Sequence, residues 1–195
     1  MTTPTKAELR AELLRARRKA AAESRKRDAA ALAGHLAGIA AAGRTVCAYV
    51  PVGSEPGSLT LLDRLLSLGA RVLLPVAQHD EAGGPLPLRW GEYRPGQLVD
   101  ARFGLREPAP PWLAPEAVAD ADVVLVPALA VDRTGVRLGR GAGFYDRSLG
   151  FAAPGALLIA VVRDEELLER VPAEPHDVRM THALTPGLGL VALGE

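Results

Sequence analysis

The stretch ADVVLVPALAVDRTGVRLGRGAGFYDR, residues 121 to 147, decides how this chain is read. Its first half, Ala121 to Asp132, is an apolar run of the kind found in a buried strand. Its second half carries glycine at 139, 141 and 143, then an aromatic pair and an aspartate. Removing side chains at every second position lets backbone N–H groups approach a large anion closely. Arg137 and Arg140 supply positive charge and planar donors suited to phosphate oxygens. Asp146 adds a hard oxygen, either a magnesium ligand travelling with the phosphates or a charge partner. A buried strand that delivers such a loop to a sheet edge reads as a phosphate cradle.

The loop is not one of the common phosphate binders. No Gly-Lys-Ser/Thr closes it as in a Walker A loop, and Phe144 stands where a Rossmann fingerprint needs its third glycine. Spacing alone leaves a second reading open, a glycine-rich turn that only lets a helix pack on a sheet.

Around this segment the pattern alternates between strand and helix. Strands are expected at Thr45 to Val50, Arg71 to Val76, Leu86 to Gly91, Val123 to Val126 and Leu157 to Val162. Most are continuous apolar runs, as in a parallel sheet covered on both faces. Helical segments are expected at Leu59 to Ser67, Gly143 to Leu149 and Asp164 to Glu169. Residues 5 to 42 read as a helical pair broken near Ala22 to Ser24, with Leu9, Leu13, Leu14 and Ala16 on the first apolar stripe and Leu32, Leu36 and Ile39 on the second. Gln78 to Pro87 and Pro108 to Pro115 read as loops. The alternation predicts an α/β, three-layer arrangement with a mostly parallel central sheet and an N-terminal helical pair.

Composition narrows the function classes. The chain has 195 residues, expected as a single domain, and 48% of them are hydrophobic against 24% charged, which excludes disorder. Lys plus Arg and Asp plus Glu number 23 each, so net charge suggests neither a nucleic-acid nor a membrane partner. Between Met1 and Arg27, nine Lys or Arg face three Glu. No aromatics interleave with them, so a solvated helix face is favoured over a nucleic-acid surface. Cys47 is the single cysteine and is expected as a buried core thiol. With no apolar signal region or membrane-length run, a cytoplasmic location is expected.

The pattern VPALAVDRTGVRLGRGAGFYDR, Val126 to Arg147, resembles the signature of the 5-formyltetrahydrofolate cyclo-ligases, also called methenyltetrahydrofolate synthetases. Four further pieces fall in family order: Lys6 with Leu9 and Arg10, Glu55 after a strand, FGLREP at 103 to 108, and VPAEPHDV at 171 to 178. The resemblance implies a sugar-phosphate isomerase and CoA-transferase-like α/β fold. It also implies ATP-dependent closure of 5-formyltetrahydrofolate to 5,10-methenyltetrahydrofolate by a monomer acting on reduced folate, ATP and magnesium.

Site residues follow from the same resemblance. Lys6, Arg10, Arg137, Leu138, Gly139, Arg140, Gly141, Ala142, Gly143, Phe144 and Tyr145 correspond to the ATP site. Val50, Glu55 and the run Arg140, Gly141, Ala142, Gly143, Phe144 correspond to the folate contacts, and Asp146 and Asp177 to the magnesium-associated carboxylates. No nucleophile is implied. Trp90 and Phe103 are candidate walls of the folate pocket, and His176 is read as positional. Without the resemblance, Asp146 would be a helix-terminal charge, Asp177 a turn residue and Glu55 an exposed loop acid.

Three positions depart from the family pattern. Ala142 stands where Gly or Lys is common, Phe144 replaces the common Tyr, and Thr181 stands where an acid often follows Asp177. Other readings are a non-catalytic nucleotide- or folate-binding homologue, a nucleic-acid-binding protein that would leave the glycine motif unexplained, and an enzyme of phosphorylated sugars.

Overall fold

A computed structural model describes residues 4–175 and 177–194. Two helices, α1 (Lys6–Lys19) and α2 (Ala22–His35), open the chain. Thr5 starts α1 with a reciprocal capping box, its side chain accepting from the Glu8 N–H while the Glu8 carboxylate accepts from the Thr5 N–H. Strands β1 (Thr45–Cys47) and β2 (Arg71–Val76) flank helix α3 (Leu59–Ser67). Then come β3 (Arg89–Glu92), β4 (Leu98–Asp100), β5 (Arg106–Pro108), β6 (Val123–Pro127), β7 (Ala130–Asp132) and β8 (Arg137–Leu138). The chain finishes with α4 (Phe144–Ser148), β9 (Leu157–Val161), β10 (Leu167–Leu168), β11 (His182–Thr185) and β12 (Gly189–Ala192).

Seven strands form the central sheet in the order β12-β11-β9-β6-β1-β2-β3. The five inner strands are parallel, and β3 and β12 close the edges antiparallel. Strand residues alternate between two cores. Val46, Val72, Leu125 and Ile159 pack beneath α2 and α3 with Leu32, Leu36, Leu61 and Leu65. Cys47, Leu73, Val124 and Ala160 face the opposite layer with Trp90, Val118 and Leu149. Both faces are therefore covered, which is why the inner strands read as unbroken apolar runs. Cys47 is fully buried, and burial pushes its thiol up to about 12.

Strand order reverses between β1 and β6, since the chain runs outward to β2 on one side and to β9 on the other. In open α/β sheets ligands gather at the carboxyl ends of the strands beside such a reversal.

A second, three-stranded sheet, β10-β7-β8, sits between β6 and the glycine loop. Its turn explains the Asp-x-x-Gly spacing. One oxygen of buried Asp132 accepts from the Thr134 N–H, the Thr134 hydroxyl and the Val136 N–H, and the other from the Val171 N–H. Gly135 turns at φ +89°, where a Cβ would run into the Met180 carbonyl. Helix α1 packs on this small sheet through Leu9, Leu13 and Leu14 against Leu129, Val136 and Leu138.

Several expectations are corrected. Asp164 to Glu169 is a 3-10 turn over Asp164–Glu166 followed by β10, because the acids are pulled apart. Asp164 accepts from the Thr185 hydroxyl and the Gly187 N–H, while Glu166 binds Arg17. Leu86 to Gly91 becomes Arg89–Glu92, since Pro87 cannot donate to a ladder and the Leu88 N–H bonds the Ser148 hydroxyl instead. The first strand ends at Cys47 rather than Val50, with the Tyr49 hydroxyl bonded to the Pro56 carbonyl. The helical break falls just before Ala22, and Ala16 is exposed. On α1 it is Arg17, 1% exposed, that is buried instead. Trp90 is buried in the core rather than lining a pocket.

Arg17 donates from Nε and Nη2 to the two oxygens of Glu166 at 2.6 and 2.7 Å, and from Nη2 to the Ala128 carbonyl at 2.6 Å. Removing one partner strands a buried charge. Glu166→Ala is therefore expected to lower unfolding stability by about 3–5 kcal/mol in urea titrations, and a loss under about 0.5 kcal/mol would contradict this account.

Candidate active site

A cavity of about 1020 Å³ opens at the carboxyl ends of β1, β2 and β6, at the reversal of strand order. Almost every residue singled out in the sequence borders it. Lys6 and Arg10 come from α1, Val50 and Glu55 from the segment after β1, and Arg137 with Gly139 to Asp146 from β8, the loop and α4. Asp177 arrives from the segment before β11. Leu138, turned into the core beneath α1, does not border it, nor does Trp90. His176 lies outside the described residues.

The glycine loop is shaped by its neighbours. Gly141 and Gly143 take φ +104° and +78°, which side chains strongly disfavour. A Cβ on Gly141 would lie 3.7 Å from the Arg10 guanidinium, and one on Gly143 only 2.6 Å from Arg147. Arg10 donates through Nε to the Gly139 carbonyl at 2.9 Å, tying α1 to the loop. Arg137, almost buried, donates from Nη2 to Asp146 at 2.6 Å and lies 5.8 Å over the Tyr145 ring. Asp146 is thus the partner of a cation. The buried Arg137 Nε and Tyr145 hydroxyl have no hydrogen-bond partner among the described residues.

Lys6 reaches Asp177 at 3.0 Å and Glu174 at 3.1 Å. Burial pushes its ammonium down, but hydrogen bonds and charge from the two carboxylates outweigh this and leave it above its ordinary value. Glu55 pairs with Arg140 at 3.2 Å and accepts from the Val52 N–H at 2.9 Å. Burial, with Glu55 nearby, holds the Tyr49 and Tyr145 phenols well above their ordinary values, so both remain protonated donors at neutral pH.

Pro75, Ala77 and Leu88 also border the cavity, with three rings and with Glu107, whose carboxylate accepts from the Ala77 N–H. His79 meets Phe144 edge-on at 5.3 Å and Phe103 at 6.4 Å. Phe103 is 84% exposed at φ +61°. Arg17, Tyr49, His79, Glu107, Arg147 and Glu174 also border the cavity and were not singled out in the sequence. Glu107 in FGLREP, Glu174 in VPAEPHDV and Arg147 at the end of the glycine motif lay within quoted segments, whereas Arg17, Tyr49 and His79 carried no such signal. Thr181 stands apart from the cavity, bonding both backbone groups of Leu158 between β9 and β11, so its departure from the family pattern serves sheet pairing.

Among the described residues no group of three or more His, Cys, Asp or Glu converges on a point. Asp146 and Asp177 both border the cavity, each held by a cation. Such a donor set fits magnesium bound mainly by phosphate and water and not an all-protein cage.

The sequence matches the 5-formyltetrahydrofolate cyclo-ligase family over residues 2–186. It is 66% identical over 193 residues to the 5-formyltetrahydrofolate cyclo-ligase of Mycolicibacterium smegmatis, covering 99% of this chain and 100% of that protein. The Escherichia coli protein of the same description is 32% identical over 144 residues, 73% of this chain and 78% of its own. The solution structure of Aquifex aeolicus 5,10-methenyltetrahydrofolate synthetase superimposes with a TM-score of 0.78 at 26% identity, covering 97% of this chain and 93% of that one.

The Lys6 contacts are open to direct test. A raised pKa in the folded protein means that the stability drawn from these contacts is complete below the unfolded value near 10.5 and lost as pH rises through the higher folded value. At pH 9, amine-reactive labelling followed by peptide mass spectrometry is expected to modify exposed Lys26 well before Lys6. Equal rates at the two would contradict the paired geometry.

Proposed function

The chain belongs to the 5-formyltetrahydrofolate cyclo-ligase family and is an ATP-dependent cyclo-ligase; from that premise we propose how its cavity divides the work. ATP phosphates lie along the glycine loop, flanked by Lys6, Arg10, Arg137 and Arg140. The reduced folate occupies the apolar end, reaching Val50, Glu55 and Phe144. The observation that carries this division is the gathering of Lys6, Arg10 and Arg137 about the glycine loop, with Arg10 bonded to the Gly139 carbonyl, while the Phe144, His79 and Phe103 rings meet one another elsewhere on the lining.

The chemistry follows from the substrate. The N5-formyl group is amide-like, and its oxygen is a poor leaving group. Transfer of the γ-phosphoryl group to that oxygen, with release of ADP, makes it a good one. Nitrogen N10 then attacks the formyl carbon, the ring closes, inorganic phosphate departs with the former formyl oxygen, and the N10 proton passes to water. Positioning and charge neutralisation carry such a reaction, and no protein nucleophile is required.

The residues suit these tasks. Arg10 fixes the loop by its bond to the Gly139 carbonyl, leaving its remaining guanidinium donors for phosphate. Arg140, half exposed and linked to Glu55, spans the boundary between the two substrates. The Tyr145 hydroxyl and Arg137 Nε, buried and without a hydrogen-bond partner among the described residues, are shielded from water, the condition under which a hydrogen bond to developing negative charge is strongest. Asp146 and Asp177 are the carboxylates that would hold magnesium, which offsets phosphate charge during transfer. No helix among the described residues is long and apolar enough to cross a membrane. A cytoplasmic monomer belongs to the same proposal.

Absorbance at the methenyl-folate band tests the reading. The signal is expected to rise only with 5-formyltetrahydrofolate, ATP and magnesium together, and Asp146→Ala is expected to slow it by on the order of 100-fold. Full activity of Asp146→Ala would remove the metal assignment. No rise with the wild-type protein, despite measurable ATP binding, would favour a non-catalytic homologue.

A further inference from the structure

Resting on that reading of the cavity, we infer that Arg17 is a catalytic residue, whose Nη1 donates to the phosphoryl group in transit from ATP to the formyl oxygen. Arg17 borders the cavity although it is only 1% exposed. Its Nε and one Nη2 hydrogen are spent on the two Glu166 oxygens, and the other Nη2 hydrogen on the Ala128 carbonyl. Among the described residues nothing accepts from Nη1. Unlike the Arg137 Nε and the Tyr145 hydroxyl, Nη1 is not sealed off. The cavity is therefore where it meets an acceptor, and a guanidinium donor so largely shielded from water is costly to leave unmatched.

The position of Arg17 selects the acceptor. It lies two turns along α1 from Arg10, about 10 Å, and so apart from the glycine loop that Arg10 holds. Its neighbours are the segments leaving two central strands, Tyr49 shortly after β1 and Ala128 directly after β6. Burial and then Glu55 raise the Tyr49 phenol while the Arg17 charge opposes them, so these three residues share one corner. No acceptor there competes for Nη1. The Glu55 oxygens are engaged by Arg140 and the Val52 N–H, and the Tyr49 hydroxyl is turned to the Pro56 carbonyl. In the proposed division Lys6 and Arg10 face the ATP phosphates, and Val50 and Glu55 face the folate. Arg17 stands between the two sets, and the anionic group that passes between them is the phosphoryl group.

In that step the bond from the γ-phosphorus to the ADP oxygen breaks, and ADP leaves with the electron pair as the formyl oxygen bonds to phosphorus. Negative charge is spread over the phosphoryl oxygens in passage. A guanidinium already fixed by Glu166 and Ala128 meets that charge without reorganising, and it keeps its protons throughout. Glu166 offsets the buried cation beforehand, so Nη1 serves as an aimed donor.

The test is Arg17→Lys, which keeps an ammonium for Glu166 and the Ala128 carbonyl, and so keeps α1 tied, but puts nothing in the place of Nη1. Methenyl formation is assayed with inorganic phosphate and ADP as product inhibitors. The kcat is expected to fall on the order of 100-fold, and the phosphate inhibition constant to rise about tenfold or more. The folate KM and the ADP inhibition constant are expected within about twofold of wild type. Unchanged kcat and phosphate inhibition in a folded variant overturn the inference and leave the ligase reading intact. A parallel rise for phosphate and ADP also overturns it, since Arg17 would then act only by aiming Lys6 and Arg10. A rise confined to the folate KM overturns it too, by moving the contact to the pterin. Should the variant fail to fold, a crystal structure of wild type with ADP, magnesium and vanadate decides. Nη1 bonded to a vanadate oxygen supports the inference, and Nη1 without that contact overturns it. Absence of methenyl product from wild type would instead sink the ligase reading itself.

Discussion

The site depends on the buried contact of Arg17 with Glu166 and the Ala128 carbonyl. It joins α1 to the turn after β9 and to the chain just leaving β6. Helix α1 has a thin apolar stripe, Leu9, Leu13 and Leu14, and it packs on the small sheet rather than the central one. The Arg17 guanidinium supplies what that stripe lacks, a fixed azimuth and a fixed height. Lys6 and Arg10 are one turn apart, and Arg17 follows two turns later, so all three share a helix face. Locking the third aims the first two at Asp177 and at the glycine loop. Burying a charge in this way costs much desolvation, and the three short hydrogen bonds offset it.

From that constraint the cavity acquires its two unlike ends. One side gathers guanidinium and ammonium groups, each already bonded to a carboxylate or carbonyl. In the proposed division, phosphate oxygens would exchange partners with groups whose positions are set beforehand, and little side-chain entropy would remain to be lost. The other side offers rings, proline and leucine to a flat substrate. Between them stand Arg140 with Glu55 and the protonated phenols of Tyr49 and Tyr145. Such an arrangement suits the proposed role, bringing two substrates together and stabilising transferring charge.

Much of this was legible in the sequence because the informative residues are constrained locally. The inner strands announced themselves as apolar runs, and α3 matched its expected bounds of Leu59–Ser67. The glycine loop was visible because only glycine tolerates φ at Gly141 and Gly143, and Asp132 with Gly135 because a single turn needs both. What escaped notice depends on distant partners. Arg17 reads as one more cation in a basic helix until Glu166, far along the chain, is seen beside it. The β4–β5 hairpin and β10 are three residues or fewer per strand, too short for periodicity to register. His79 and Glu107 gain meaning only when β2 and β5 bring them to the same wall.

In the proposed reaction the formyl oxygen leaves as phosphate. Substrate labelled with oxygen-18 in the N5-formyl group, turned over with unlabelled ATP, tests it directly by mass analysis of the released inorganic phosphate. One labelled oxygen is expected in each phosphate formed. Unlabelled phosphate, with the heavy oxygen recovered in water, would contradict it.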